Sequence, residues 1–391
     1  MAEPPLKGIR VIELARILAG PWAGQLLADL GADVIKVESP EGGDDTRKWG
    51  PPFVMSHDGE NLSAAYYHSC NRGKRSIAVD FSTPEGAETV RRLVAGADVM
   101  IENFKLGGLR KYGLDYESLR KINPRLVYCS ITGFGQDGPY APRAGYDFII
   151  QAMAGMMSIT GEAGREPQKA GVAISDLFTG LYSVIAIQAA LRHAEKTGEG
   201  QHIDMALFDS QISALGNQNL NYLVSGKAPV QMGNAHMNIA PYEVLPVKDG
   251  HIILAVGNDG QFGKFCAAVG LDDLPSNPDF ATNPARVANR AKLREQIIET
   301  LKAFDRDPLL AKLEAASVPA SPINTIGQMF ADPQTIARGM RLDLDDGHGN
   351  LLPSVRAPMV MSETPLVYER PSPRLGEHTD EILAELERSA K

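Results

Sequence analysis

A chain of 391 residues, 43% hydrophobic and 22% charged, carries enough apolar side chain for a sizeable core and enough length for two or three domains. Its net charge of −9 argues against a nucleic-acid binder, which needs a surplus of Lys and Arg for phosphate contacts. The cysteines Cys70, Cys129 and Cys266 lie far apart, unlike disulfide scaffolds or CxxC zinc pairs, and fit a reducing cytoplasm.

The N-terminus, Met1 to Lys7, enters a strand pattern without a signal-like stretch, and no uninterrupted apolar run nears the ~18 residues of a membrane span, so a soluble protein with no membrane partner is expected. Gly8 to Leu14 is a β-branched run, Pro21 to Leu30 has apolar residues at helical spacing and stops at Gly31, and Ala32 to Glu38 is a second strand. This βαβ start predicts a parallel α/β sheet. The first strand-to-helix turn, Ala15 to Pro21, lacks GxGxxG, so a Rossmann-like fold is expected without a dinucleotide.

Ser39 to Asn61, rich in Pro, Gly and charge, reads as a long loop. Strands follow at Arg75 to Asp80, Asp98 to Phe104 and Leu126 to Ile131, with a helix opened by Thr83-Pro84-Glu85 and a shorter one at Tyr116 to Ile122. The last strand feeds the glycine-punctuated loop Thr132 to Pro139, which runs through Gly145-Tyr146 to Asp147 at the start of an apolar helix. On local grounds Asp147 is either a helix cap or a nucleophile.

Ser175 to Lys196 is a long apolar helix closed by Gly198, and Gln201 to Leu215 a strand and a further helix. Residues 1–224 are therefore assigned to one domain, 225–241 to a polar linker and 242–317 to a smaller α+β domain. That domain opens with a hairpin turning at Lys248-Asp249-Gly250. Met340 to Val360 is strand-like about a Gly347 to Asn350 turn, and the tail ends in a short helix. No HExxH, Walker loop or GxSxG occurs and the eight histidines are scattered, so no metal is expected. The basic cluster Asn71 to Arg75, with Asn103-Phe104 and Arg110-Lys111, is either a solvated charge run or a site for a phosphorylated adenine nucleotide.

Residues 30 to 38, Asn71 to Ser76, Ile101 to Phe104, Thr132 to Gly135, Gly145-Tyr146-Asp147 with Gln151-Ala152, Gly198 to Gln201 and Leu375 to Thr379 together resemble the family III CoA-transferases over essentially the whole chain. The resemblance implies a large Rossmann-like α/β domain built from both chain ends, residues 318–391 completing it, a smaller α+β domain, and an interlocked homodimer. It implies an enzyme that moves CoA from an acyl-CoA to a free carboxylic acid, with CoA as substrate and no permanently bound cofactor. Asp147 matches the aspartate nucleophile, which passes through a mixed anhydride and an aspartyl-CoA thioester. The CoA site falls on Ile17, Asn71, Lys74, Arg75, Asn103, Phe104 and Lys111, the acyl pocket on Leu18, Trp49 and Tyr146, and a lid on Gly257, Gly260 and Gln261. Leu18 stands where formyl-CoA transferase places a glutamine against its small acid, which favours a longer acceptor, a dicarboxylate. Family racemases, the alternative, abstract an α-proton with a His and Asp pair that falls here on Tyr146 and Asp176. A tyrosine does not replace a base that titrates near neutral pH, and Asp176 is expected to cap or hydrogen-bond near its helix.

Overall fold

The computed structural model describes residues 3–389, so Met1, Ala2, Ala390 and Lys391, where the expected termini fall, lie outside the described residues. Two compact units divide the chain: residues 1–156, 170–225 and 333–391 form the first, residues 157–169 and 226–332 the second.

The first unit opens with β1 (Arg10–Glu13), α1 (Ala19–Asp29) and β2 (Asp33–Glu38). The stretch read as a long loop holds a 3₁₀ turn at Asp45–Lys48 and the antiparallel pair β3 (Phe53–Met55) and β4 (Asn61–Ala64), followed by the single turn α2 (Ala65–His68). At three and four residues these strands are too short to show a period of two. Then come β5 (Arg75–Ala78), α3 (Pro84–Ala95), β6 (Val99–Glu102), α4 (Tyr116–Leu119), β7 (Val127–Thr132), α5 (Asp147–Met153), α6 (Met156–Ile159), of which only Met156 belongs to this unit, α7 (Ile174–Thr197), β8 (His202–Ala206), α8 (Leu207–Ala214) and α9 (Asn217–Ser225). The start of α3 follows its sequence: Thr83 caps it by accepting the Gly86 N–H, and Pro84 takes the first turn, where its missing donor costs nothing.

β1, β2, β5, β6, β7 and β8 form one parallel sheet in the order β5-β2-β1-β6-β7-β8. From β1 the chain builds outward first through β2 and β5, then on the other side through β6, β7 and β8, so the winding reverses between β1 and β6. In open α/β sheets a crevice forms at that reversal, beyond the carboxyl ends of the strands. One sheet face packs Val11, Val34, Ile101 and Val127 against Leu26 and Leu27 of α1 and Val184 and Ile187 of α7. The other packs Ile12, Ile35, Ile77 and Met100 against Val90, Leu93 and Val94 of α3. Helix α7 is long and apolar enough to cross a membrane by composition, a mean hydropathy of 1.5. Its small residues Thr179, Gly180, Ser183 and Ala190 are buried along one face, as in a core helix. A Cβ at Gly180 would stand 2.8 Å from the Ala19 carbonyl and 2.9 Å from Trp22, so glycine sets the close approach of α1 and α7.

In the second unit β9 (Tyr242–Val247) and β10 (Gly250–Ala255) pair through the expected tight turn, and β11 (Ala320–Ser321) joins β10. Helices α10 (Asp259–Val269), α11 (Asn283–Ala288), α12 (Arg290–Leu301) and α13 (Arg306–Ala315) cover this sheet around Phe262, Phe265, Leu293 and Leu309, and α14 (Ile326–Ala331) follows. This unit is wider than the 242–317 expected. It takes in 157–169 because Gln231 donates to the carbonyls of Thr160 (2.9 Å) and Glu166 (3.4 Å) and the Gly233 N–H to Gly161 (2.9 Å). Residues 226–241, expected as linker, belong to it as well.

The chain then returns to the first unit with α15 (Pro333–Ala337), the hairpin β12 (Arg341–Asp345) and β13 (Leu351–Val355), and α16 (Thr379–Ser389). The large α/β unit is therefore built from both chain ends. The last helix is tied to β5 by the His378 N–H on the Ser76 carbonyl (2.9 Å) and by Glu381 and Glu385 on Arg75 (2.9 and 2.7 Å).

Candidate active site

A cavity of about 620 Å³ opens where the sheet winding reverses. Its wall is made by the segments that leave the strands: Arg16 to Ala19 after β1, Ser39 after β2, Val79 to Ser82 after β5, Asn103 to Leu106 after β6 and Thr132-Gly133 after β7. Of the residues singled out in the sequence, Ile17, Leu18, Asn103, Phe104, Lys111, Tyr146 and Asp147 meet on this wall.

Asn103 stitches the two loops at the reversal point. Its Oδ1 accepts the Arg16 N–H at 2.9 Å and its Nδ2 donates to the Arg16 carbonyl at 2.7 Å. Between them Ile17 is held at φ 72°, a conformation rare for a β-branched residue and stored at functional sites when the surroundings over-determine it. The Ile17 N–H donates to both oxygens of Asp44 at 3.3 Å. Burial alone would raise the Asp44 carboxyl, but Lys36 at 3.0 Å and the Thr46 N–H and hydroxyl pull it down to about 2, so the strained turn rests on a fixed anion.

Further along the wall, Phe104 meets Phe81 edge-on (5.5 Å), Phe81 meets Tyr112 (5.5 Å), the Arg16 guanidinium lies 5.4 Å over Phe104 and the Lys111 ammonium 4.6 Å over Tyr112. Aromatic edges beside cations suit an adenine base carrying phosphates. Arg16, Phe81, Lys105, Tyr112 and Arg143, all on this wall, were missed in the sequence. The signal for Arg16 was available, since it stands directly after the first strand of a βαβ unit.

Two carboxylates complete the wall. Asp147 is the first residue of α5, whose cap position is Tyr146, so it does not cap its own helix. It caps another: its Oδ1 accepts the N–H of Ser175 in the first turn of α7 at 2.8 Å, and its Oδ2 accepts from Nε2 of the buried Gln151 at 2.7 Å. Both oxygens of the residue expected to attack are thus engaged. Asp176, expected to cap or hydrogen-bond, does neither: the cap position of α7 is Ala173, and no hydrogen bond to the Asp176 carboxyl is found among the described residues. Burial, then the facing charge of Asp147, pushes Asp176 up to about 7. The loop carrying Asp147 admits no bulk behind it, since a Cβ at Gly133 would lie 2.5 Å from the Gly145 Cα.

The other sequence-selected residues lie elsewhere. Asn71, Lys74 and Arg75 are buried and are not on the cavity wall. Asn71 and Lys74 precede β5 and Arg75 is its first residue, at the amino end of a strand whose carboxyl end faces the crevice. Lys74 Nζ is spent on Glu13 (2.9 Å), the Pro21 carbonyl (2.9 Å) and Asn71 Oδ1 (2.8 Å), and Arg75 on Asp33, Glu381 and Glu385. Trp49 is not on the wall either, but packs edge-on to Tyr66 at 5.3 Å. The Tyr66 phenol is raised to about 12 by burial and by Asp176 and Asp147 among the charges around it. Gly257, Gly260 and Gln261 belong to the second unit. There Asn258 caps α10 by accepting the Gln261 N–H (2.9 Å), and Gln261 Oε1 accepts the Gly257 N–H (2.7 Å), so the expected lid loop is a capped helix start. Among the described residues no group of acidic, His or Cys side chains could hold a metal ion.

A parallel sheet whose crevice is lined by cations and aromatics and holds the Asp147 and Asp176 carboxylates suits a ligand that carries an aromatic base and phosphates. The sequence model of CoA-transferase family III matches residues 6–379, and the chain belongs to that family; it is a CoA-transferase. It is 66% identical over 386 residues to the succinate--glutarate CoA-transferase of Agrobacterium fabrum, covering 98% of this chain and 96% of that one. It is 42% identical to the human succinyl-CoA:glutarate CoA-transferase, over 98% of this chain and 86% of that one. Among solved structures it is similar to a CaiB/BaiF family protein from Brucella suis, with a TM-score of 0.88 at 62% identity over 98% of this chain and all of that one.

Proposed function

We propose that this enzyme transfers CoA from succinyl-CoA to a dicarboxylate of about the length of glutarate, with Asp176 as the nucleophile. The observation that carries the assignment of the nucleophile is the contrast between the two carboxylates: Asp147 has both oxygens hydrogen-bonded, whereas Asp176 faces the cavity with none. The choice of acids is supported by the substrates named for the relatives.

In this reading an Asp176 oxygen attacks the thioester carbon, the C–S bond breaks and CoA leaves as its thiolate, giving a succinyl-aspartyl anhydride. The thiolate attacks the Asp176 carbonyl carbon, releasing succinate and leaving an aspartyl-CoA thioester. The acceptor carboxylate attacks that same carbon and expels the thiolate. The thiolate then attacks the acceptor's own carbonyl, which forms the product thioester and regenerates Asp176. Each bond made is matched by one broken, with no redox change and no net proton. Asp176 stands in the first turn of α7, where the positive end of the helix dipole favours the anion. Racemisation is disfavoured because Tyr146 stands where that chemistry needs a base titrating near neutrality.

Succinyl-CoA and acetyl-CoA offered with mono- and dicarboxylic acids, followed by mass spectrometry, test the reading. Glutaryl-CoA should form in step with succinate release. A higher kcat/KM for monocarboxylates would remove the dicarboxylate assignment, and deuterium entering Cα from heavy water without exchange would revive the racemase. The CoA-transferase is further proposed to be a cytoplasmic homodimer, interlocked as the family resemblance implies. The exposed apolar side chains Phe148 and Ile149 on α5, Ile185 on α7 and Leu223 and Val224 on α9 support a covering partner. A monomer in sedimentation at micromolar concentration would end that proposal.

A further inference from the structure

Gln151 is fully buried, and a buried side-chain amide must spend its donors and acceptor or cost stability. Its Nε2 donates to Asp147 Oδ2 at 2.7 Å and is 3.5 Å from the Val172 carbonyl, and its Oε1 accepts the Ala170 N–H at 2.9 Å. Asp147 lies one turn earlier on α5, while Ala170 and Val172 lie on the segment that runs into α7 and arrives at Asp176. The other Asp147 oxygen takes the Ser175 N–H at 2.8 Å. Three hydrogen bonds therefore tie the element bearing one carboxylate to the segment bearing the other, two of them made by Gln151, and a fourth, within α5, joins Gln151 to Asp147 itself.

We propose that Gln151 is a positioning residue that locks α5 to the lead-in of α7 and so fixes the separation of Asp147 and Asp176. The inference rests on Asp176 as nucleophile and adds a residue that touches no substrate. Two like charges in one cavity interact steeply with distance, so spacing sets how readily the attacking carboxylate ionises and where it points. Glutamine suits the position because it offers a donor to Asp147 and an acceptor to Ala170 at every pH. A glutamate does so only while it holds its proton, and once ionised it opposes Asp147.

The test uses two variants of the full-length enzyme. Gln151→Met keeps length and burial but makes no hydrogen bond: kcat should fall about 10- to 100-fold while KM for succinyl-CoA stays within about twofold. Gln151→Glu should be most active near about pH 6, where its acid form restores both bonds, and lose activity as the pH rises, the reverse of the wild-type profile. Wild-type kcat in Gln151→Met, or a Gln151→Glu profile parallel to wild type, would overturn the proposal. So would a loss confined to thermal stability with kcat per trapped active site unchanged. Transfer retained by Asp176→Ala would instead remove the nucleophile assignment, and the two failures are separable.

Discussion

Asp176→Ala loses CoA transfer by on the order of 10⁴-fold or more and no longer yields an enzyme-bound adduct when acyl-CoA is followed by hydroxylamine, because the covalent route has lost its attacking carboxylate. Asp147→Ala keeps a measurable rate, since the attacking group remains and only its orientation and electrostatics suffer. The reverse ranking would return the nucleophile's role to Asp147. The pH profile separates the two further. Burial, followed by the Asp147 charge, holds Asp176 at about 7, and the attacking form is the anion, so wild-type kcat rises with pH and levels above about pH 8. Asp147→Asn removes the facing charge and moves that rise to lower pH, by about one unit. The sign of the stability effect follows from the same shift. The unfolded carboxyl titrates at about 4 and the folded one near 7, so the folded state binds the proton more tightly and loses stability as pH rises between those values. Asp176→Asn therefore unfolds at a higher temperature than wild type at pH 8, and the gain vanishes below about pH 4. A gain that persisted at low pH would point to packing instead.

Much of the sheet was legible because each strand is a short β-branched run bounded by turn residues, as at Val34 to Val37 and Val127 to Ile131. The strand order was not, since register between β1 and β6 joins residues far apart in sequence and leaves no local mark. The site divides in the same way. Asn103 and Phe104 were legible because they stand directly after a strand, and the carboxyl ends of parallel strands are where such folds bind ligands, whereas Ile17 came from the family resemblance alone. Asp176 was read as a cap or hydrogen-bonding residue because an aspartate in the first turn of a helix ordinarily is one. Recognising it otherwise requires knowing that Asp147 already serves that helix end, a contact across 28 residues. The segment Gly257 to Gln261 was expected as a lid only from the family resemblance, and its local structure is a helix start capped by Asn258.

The cluster Asn71 to Arg75 shows the same limit most sharply, because cations beside a strand look alike whether they meet phosphate, water or a buried carboxylate. Lys74→Ala decides between these. Lys74 and Lys36 share Glu13 Oε1 at 2.9 and 3.1 Å, and all three side chains are fully buried. Burial depresses the Lys74 ammonium and Glu13 restores part of the loss, so the charge is tolerated only while that carboxylate is present. Removing Lys74 takes its donor from Asn71 Oδ1 and from the Pro21 carbonyl and leaves Glu13 with Lys36 as its cation. The expected cost is roughly 3–5 kcal/mol of unfolding free energy, read by denaturant titration, with KM for acyl-CoA little changed in the protein that remains folded. A direct contact between Lys74 and CoA would give the opposite pattern, a KM raised about tenfold or more at nearly wild-type stability. Lys111→Ala, on the cavity wall and over Tyr112, is the matched control: it should raise KM and leave the unfolding midpoint where it was.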